Sequence, residues 1–190
     1  FNAVGWRLAF PPEKAASFSL PELIRLRIAG DAVNYLTPSA TIAGEVARAA
    51  MLNDSEGGEV RASSVLVAKF TQALAQSAFS LGGIIAFAAQ MPLLQGRERL
   101  AYGAGAAFFG AVILVGAIEA RFPAPQRAPS APDFSWRDFG AMFGWLRYHY
   151  RSHPARFAAS TAFFSLGYAW GAFEAYWICR FIGVPVGVQT

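Results

Sequence analysis

Ionised side chains are few in this chain, and several of them sit at helical spacing within apolar sequence. Arg27, Asp31 and Asn34 fall at i, i+4 and i+7, and Glu45 and Arg48 at i, i+3, so each short segment carries its own charge pair. Farther along, Lys69, Gln72, Gln76 and Ser80 make one polar stripe on an otherwise apolar stretch. Such groups are costly against hydrocarbon and turn toward a protein interior or a hydrated path. The chemistry they support is recognition of a charged ligand. Arg48 attracts a phosphate, Glu45 holds Arg48 or answers a cation, and Gln72 and Gln76 hydrate the path. Asp31 and Lys69 belong to the same path or its gating. Gln72, Gln76 and Ser80 equally suit hydrogen bonds that bridge helices.

Covalent chemistry finds no comparable support. There is no nucleophile–base pair and no His–Asp set, so the sequence reads as a non-enzyme. Cys179 is the single cysteine, which excludes an internal disulfide. His149 and His153 stand at i, i+4 with arginines interleaved and no third ligand near, and read as surface histidines. Neither a metal nor a cofactor is expected.

The elements that must position these residues follow from composition. Of 190 residues, 55% are hydrophobic and only 15% charged, with 17 Phe and 18 Gly. Soluble domains carry about 25% charged residues, so the bilayer is the expected solvent. The net charge of +4 comes from arginines at the ends of apolar segments, without the basic runs that nucleic-acid binding favours. Crossing the hydrocarbon takes roughly 20 apolar residues. Charge-free stretches at 70–96, 100–118 and 157–173 predict spans over about 63–91, 100–120 and 155–179, the first two joined by a short polar turn. The 122–132 region is a Pro-rich linker. After it, Ser135 and Asp138 resemble a capping box, and Trp136, Phe139, Met142, Phe143, Leu146 and Tyr150 share one stripe. This predicts an amphipathic surface helix over 135–153, with Arg137, Arg147 and Arg151 toward headgroups. Arg121, Arg127, Arg137, Arg147, Arg151 and Arg156 outnumber Arg97 and Arg99, which places the long connection in the cytoplasm. Trp170, Tyr176 and Trp177 then fall in an outer aromatic belt, with Glu174 as an interfacial anchor. Gly167 with Gly171, and Gly103 with Ala107 and Gly110, are small-residue stripes suited to close helix packing.

The segment 29–52 is too apolar for a loop, yet holds Pro38 at its middle. Proline removes a donor and clashes with the preceding turn, while Thr37, Ser39 and Thr41 offer hydroxyls to the freed backbone groups. Two short arms meeting at a break are expected over 22–52, re-entrant or broken, in place of a simple kinked span. Broken helices at membrane depth mark transport sites. The second arm starts near Thr41, where its free N–H groups and positive dipole end face an anion such as a lipid phosphate.

In Gly30 and the run Asp31-Ala32-Val33-Asn34-Tyr35-Leu36-Thr37-Pro38, then Gly44-Glu45, Arg48 and Leu52, then a helix with Thr71-Gln72 and Ala75-Gln76, the chain resembles the membrane domain of the lysylphosphatidylglycerol synthase/flippase family. It is most similar to the hopanoid-associated members. The resemblance is specific over about 20–87 and topological beyond. It implies a polytopic domain that binds or moves lipid across the cytoplasmic membrane, with aminoacyl transfer left to a separate soluble domain that this sequence does not resemble. It carries over Asn34, Pro38, Gly44, Glu45 and Arg48. Many members place an Asp-Arg pair at the start of the long helix, where this chain has Lys69-Phe70.

The expected architecture is therefore all-α: a polytopic transmembrane bundle over 1–190, a single membrane domain from a longer chain, with a broken or re-entrant pair and one amphipathic surface helix. The first ten residues read as the tail of a helix lying upstream. The expected role is binding or translocating a phospholipid, hopanoid or polyprenyl-linked lipid as a multi-pass protein of the bacterial inner membrane. The rival role is a non-catalytic scaffold for lipid-synthesis enzymes. Expected partners are membrane lipid, lipid-synthesis enzymes or a second copy, and no nucleic acid. Candidate residues are Asp31, Asn34, Pro38, Thr41, Gly44, Glu45, Arg48, Lys69, Gln72 and Gln76.

Overall fold

The computed structural model describes residues 1–37, 42–52, 58–88, 96–121 and 139–184. Those residues form eight helices in chain order: α1 (Asn2–Ala9), α2 (Pro12–Ala15), α3 (Leu20–Leu36), α4 (Ile42–Met51), α5 (Gly58–Phe87), α6 (Glu98–Ala120), α7 (Phe139–Ser152) and α8 (Pro154–Phe181). No strand occurs among them. The all-α helical bundle expected of a membrane protein is what the chain forms. Pro38, Thr41, the 122–132 linker and the Ser135 cap lie outside the described residues.

Local signals explain several boundaries. α3 starts where the Ser19 hydroxyl accepts from the Glu22 N–H at 3.3 Å, with Pro21 in the first turn where a missing donor costs nothing. It ends at Thr37, whose extended backbone stops the helix while its hydroxyl donates to the Val33 carbonyl at 2.7 Å. α8 closes through Gly183 at φ 78°, a conformation that glycine adopts without strain, and the Val184 N–H reaches the Cys179 carbonyl at 2.9 Å.

The chain divides into two compact units, Phe1–Gln72 with Ala124–Phe164, and Ala73–Pro123 with Ser165–Thr190. In the first, Trp6, Phe10, Phe18, Leu23 and Phe164 are fully buried, and the Phe10 and Phe18 rings stack at 4.3 Å. Polar ties stitch this core. Ser160 Oγ donates to the Gly5 carbonyl at 2.8 Å and lies 3.0 Å from Thr71 Oγ1, and Arg156 Nη2 donates to the carbonyls of Arg7 and Phe10 at 3.1 Å. The arginine thereby satisfies carbonyls at the end of α1. A Cβ at Gly5 would come within 2.9 Å of the Phe164 ring, so the glycine lets α1 lie against α8.

In the second unit, the Tyr168 hydroxyl donates to Gln76 Oε1 at 3.2 Å, and its ring stacks on Phe79 at 6.1 Å. Much of the apolar surface is open: Ile113, Leu114 and Val115 on α6, and Trp170, Phe173, Trp177 and Phe181 on α8. Exposed apolar surface on this scale suits a lipid solvent. Ser63–Phe87 and Glu98–Val115 are long and apolar enough to cross a membrane. α8, which holds the third expected span, has the length but is not among these two. Glu174 is exposed and accepts from Trp170 Nε1 at 2.5 Å.

Two expectations need correction. A Cβ added at Gly103, Gly110 or Gly171 meets no atom within 4 Å, so these positions pack on nothing described; the close approach is at Gly105, where a Cβ would overlap the Ile85 side chain. A small-residue spacing permits contact without selecting which face makes it. His149 is also no surface residue: it is 3% exposed, and its Nε2 has no described hydrogen-bond partner. The ring lies 5.6 Å from that of His153, edge to face. Burial first, then the positive charge of His153 and Arg156, lowers its pKa from 6.5 to about 4, so the imidazole is held neutral.

Candidate functional site

α3 and α4 fold back on each other as an antiparallel pair. On one continuous kinked helix, Gly30 and Arg48 would stand about 27 Å apart. Here a Cβ on Gly30 would fall 2.5 Å from Arg48 Cγ and Nε. A Cβ at Gly44 would overlap the Gly30 carbonyl oxygen and the Asn34 amide. The two glycines therefore allow the backbones to cross in contact, an approach that any side chain would block. The spacing also explains why α4 serves as an arm: at 10 residues it is about 15 Å long, half a hydrocarbon core.

Asn34 closes the crossing from above. Its Oδ1 accepts the Gly44 N–H at 2.7 Å, so a side chain from α3 supplies the acceptor that the first turn of α4 lacks within its own helix. The positive end of α4 thus already has a dipolar occupant at one of its donors. This refines the expected anion site at that end, because a phosphate aimed at Gly44 would first have to displace the asparagine.

Charge converges one turn deeper along α4. Arg48 Nη1 donates to both carboxylate oxygens of Glu45, at 2.7 and 2.8 Å, and Nη2 donates to Asp31 Oδ1 across the seam. Lys69 on α5 donates to Glu45 Oε1 at 2.9 Å. Arg27 Nε stands 4.0 Å from Asp31 Oδ2, and its guanidinium lies 5.7 Å from the centre of the Phe164 ring on α8. One network of alternating charge therefore ties α3, α4 and α5. The pairs expected within each arm are present, and the cross-arm bond from Arg48 to Asp31 and the tie from Lys69 to Glu45 are additional.

Exposure divides the network into an inner and an outer part. The Arg48 side chain is 4% exposed and that of Glu45 14%, whereas Asp31 and Lys69 are 48% and 43% exposed. Arg48 Nε is buried without a described hydrogen-bond partner. Arg48 is thus an internal bolt held by two carboxylates, while Asp31 and Lys69 carry opposite charge to the accessible edge. A buried arginine held this way is costly to strip of its partners.

Of the residues singled out from sequence, Asp31, Asn34, Gly44, Glu45, Arg48 and Lys69 meet at this seam. Gln72 is half-buried and has interactions of its own. Gln76 is exposed and bonded to Tyr168, the helix-bridging arrangement. Pro38 and Thr41 lie outside the described residues. Gly30, one of the residues that carry the family resemblance, belongs to the seam as closely as Gly44 does.

A family model described as the lysylphosphatidylglycerol synthase TM region matches residues 1–190, the entire chain. No curated protein and no solved structure matches it.

Proposed function

We propose a function from one premise: the chain belongs to the lysylphosphatidylglycerol synthase TM-region family, and is a membrane protein of that family. On this reading it binds a lipid and carries its headgroup across the bilayer, with the α3–α4 seam as the headgroup site and the acyl tails left in the hydrocarbon. The protein acts as a transporter and performs no covalent chemistry. The observation that carries the reading is the network of Asp31, Arg48, Glu45 and Lys69, with a buried centre and an accessible edge, on a helix pair folded back on itself. Ionised groups kept inside a membrane protein are costly, and their retention favours a pathway or a binding site over a structural filler. A broken pair is also where irregular backbone lines such a path.

The accompanying topology is multi-pass in the bacterial inner membrane. α5, α6 and α8 span, and the Arg-rich 121–156 connection faces the cytoplasm by the positive-inside rule. The lipid is drawn from phospholipids, hopanoids and polyprenyl-linked carriers.

The test is translocation of fluorescent phospholipid and isoprenoid analogues in proteoliposomes, with wild type, Glu45→Gln and Arg48→Ala reconstituted at matched protein. The reading expects movement by wild type and its loss in both variants. Folded wild-type protein that moves no analogue, or variants that move them as well as wild type, would remove it.

A further inference from the structure

We infer that α8 carries a site of its own, apart from the seam: Glu174 and the aromatic rings beside it hold the ammonium of an ethanolamine headgroup, on a phospholipid that stays in the outer leaflet and is not carried across. This goes beyond the transport reading and takes from it only that α8 crosses the bilayer with its C-terminal end outward. Trp170, Phe173, Glu174, Trp177 and Phe181 recur at steps of three and four residues, so they share one face of the helix. That face is open: Phe181 is 84% exposed, the other three rings are between 43% and 50% exposed, and Glu174 is exposed as well. The rings follow one another along it, Trp170 to Phe173 at 5.6 Å, Phe173 to Trp177 at 6.1 Å and Trp177 to Phe181 at 6.1 Å. One carboxylate is set into this aromatic stripe.

What this carboxylate lacks is a cation. Trp170 Nε1 donates to Glu174 Oε1 at 2.5 Å, which fixes the group on the stripe and leaves Oε2 without a described partner. Arg180 is engaged by Tyr176 instead: its Nη1 donates to the Tyr176 hydroxyl at 3.1 Å, and its guanidinium lies 6.0 Å from the centre of that ring. Among the described residues, no basic side chain pairs with Glu174. Glu174 stands about 10 Å along the axis before the helix end at Phe181, at the level of the Trp and Tyr rings that mark a membrane interface. An acid there faces lipid, where an unanswered charge is costly. A primary ammonium answers it twice over, with a charge-assisted N–H bond to the open oxygen and with attraction to the ring faces on either side. A choline headgroup keeps the attraction to the rings but has no N–H to donate. A glycerol headgroup brings a phosphate charge and no cation. The expected order is therefore ethanolamine, then choline, then glycerol. Free ethanolamine offers the same ammonium, and the experiment separates the two sources.

The experiment measures binding of phosphatidylethanolamine labelled on an acyl chain to the full chain in a maltoside detergent. The competitors are unlabelled phosphatidylethanolamine, phosphatidylcholine, phosphatidylglycerol and free ethanolamine. The variants are Glu174→Gln and Trp170→Phe, each checked for helicity by circular dichroism and for oligomeric state by size exclusion. For wild type, phosphatidylethanolamine should compete about tenfold better than phosphatidylcholine. Glu174→Gln, which keeps an acceptor for the indole and loses the charge, should bring the two lipids to near parity. Trp170→Phe, which keeps a ring and frees the carboxylate, should reduce the preference to about threefold. Equal competition by both lipids in wild type, or a preference that survives in folded Glu174→Gln, overturns the inference. Displacement by free ethanolamine as effective as by the lipid overturns the lipid as source. No lipid preference together with an oligomer that Glu174→Gln dissociates would also overturn it, and would assign the missing cation to a partner chain. Each of these outcomes leaves the seam untouched, because the translocation assay on Glu45 and Arg48 variants decides that reading separately.

Discussion

Arg48 and His149 are both basic side chains with about 3% of their surface exposed, and the protein deals with them in opposite ways. Around Arg48 it supplies two carboxylates from two helices, so a full charge sits inside the α3–α4 seam with partners on both terminal nitrogens. Around His149 it supplies further positive charge, His153 and Arg156, and no described acceptor or donor for Nε2, so the imidazole gives up its proton. Burial alone therefore does not predict a charged site. The partners decide, and among the described residues the seam joins a buried charge to an accessible edge.

Removing the carboxylates' partner should break that contrast most severely. Arg48→Ala leaves Glu45 with Lys69 alone and Asp31 with Arg27 at long range, at a cost of about 3 kcal/mol. Thermal unfolding in detergent should show a lowered midpoint. The triple variant Arg48→Met, Asp31→Asn and Glu45→Gln should recover part of that loss, since it leaves no carboxylate unpaired in the seam, although Arg27 and Lys69 lose their acidic partners. No recovery would mean that Arg48 acts by packing alone.

His149 tests the other half of the comparison. Its folded pKa of about 4 lies below the unfolded value of 6.5, so the unfolded chain binds more protons between these limits. The associated stability is complete above pH 6.5 and is lost as pH falls toward 4. At about 1.4 kcal/mol for each pH unit, the total is about 3 kcal/mol at the acid limit and half that near pH 5. His149→Phe should flatten the pH dependence of the unfolding midpoint over this window. A wild-type midpoint that does not move between pH 7 and pH 4.5 would contradict the neutral, buried assignment.

Asn34 gives the smallest effect and sharpens the account of the seam itself. Asn34→Ala removes the acceptor for the Gly44 N–H and should cost about 1 kcal/mol, the usual value of a helix cap. Asn34→Asp should restore the acceptor and recover most of this loss. If both variants unfold like wild type, the bond is not a cap in solution.

Sequence made the arms and the long helices legible, because apolar length, Pro38 and the i, i+3 spacing of Glu45 and Arg48 are local properties. The bonds from Arg48 to Asp31 and from Lys69 to Glu45 join residues distant in the chain, and no periodicity within one helix encodes them. The first becomes predictable only after the arms are known to be antiparallel, which the facing glycines at 30 and 44 permit, and the second needs the placement of α5 against α4 as well. The same reason explains His149. Its burial depends on a neighbour that helical spacing does not reveal, and interleaved arginines suggested solvent on every side. The glycine stripes are a third case: among the described residues, a Cβ at Gly103, Gly110 or Gly171 meets nothing, while one at Gly105, on the same helix as the first two, meets Ile85.

The central claim, that a lipid headgroup occupies the α3–α4–α5 seam, is tested most directly by photocrosslinking. A phospholipid with a photoreactive headgroup would be irradiated with the protein in liposomes and the adducts located by peptide mass spectrometry. The account predicts headgroup adducts around Asp31, Glu45 and Lys69 that an excess of unlabelled phosphatidylglycerol suppresses and Lys69→Ala diminishes. Adducts confined to the exposed faces of α6 and α8, unchanged by competitor or by Lys69→Ala, would contradict it.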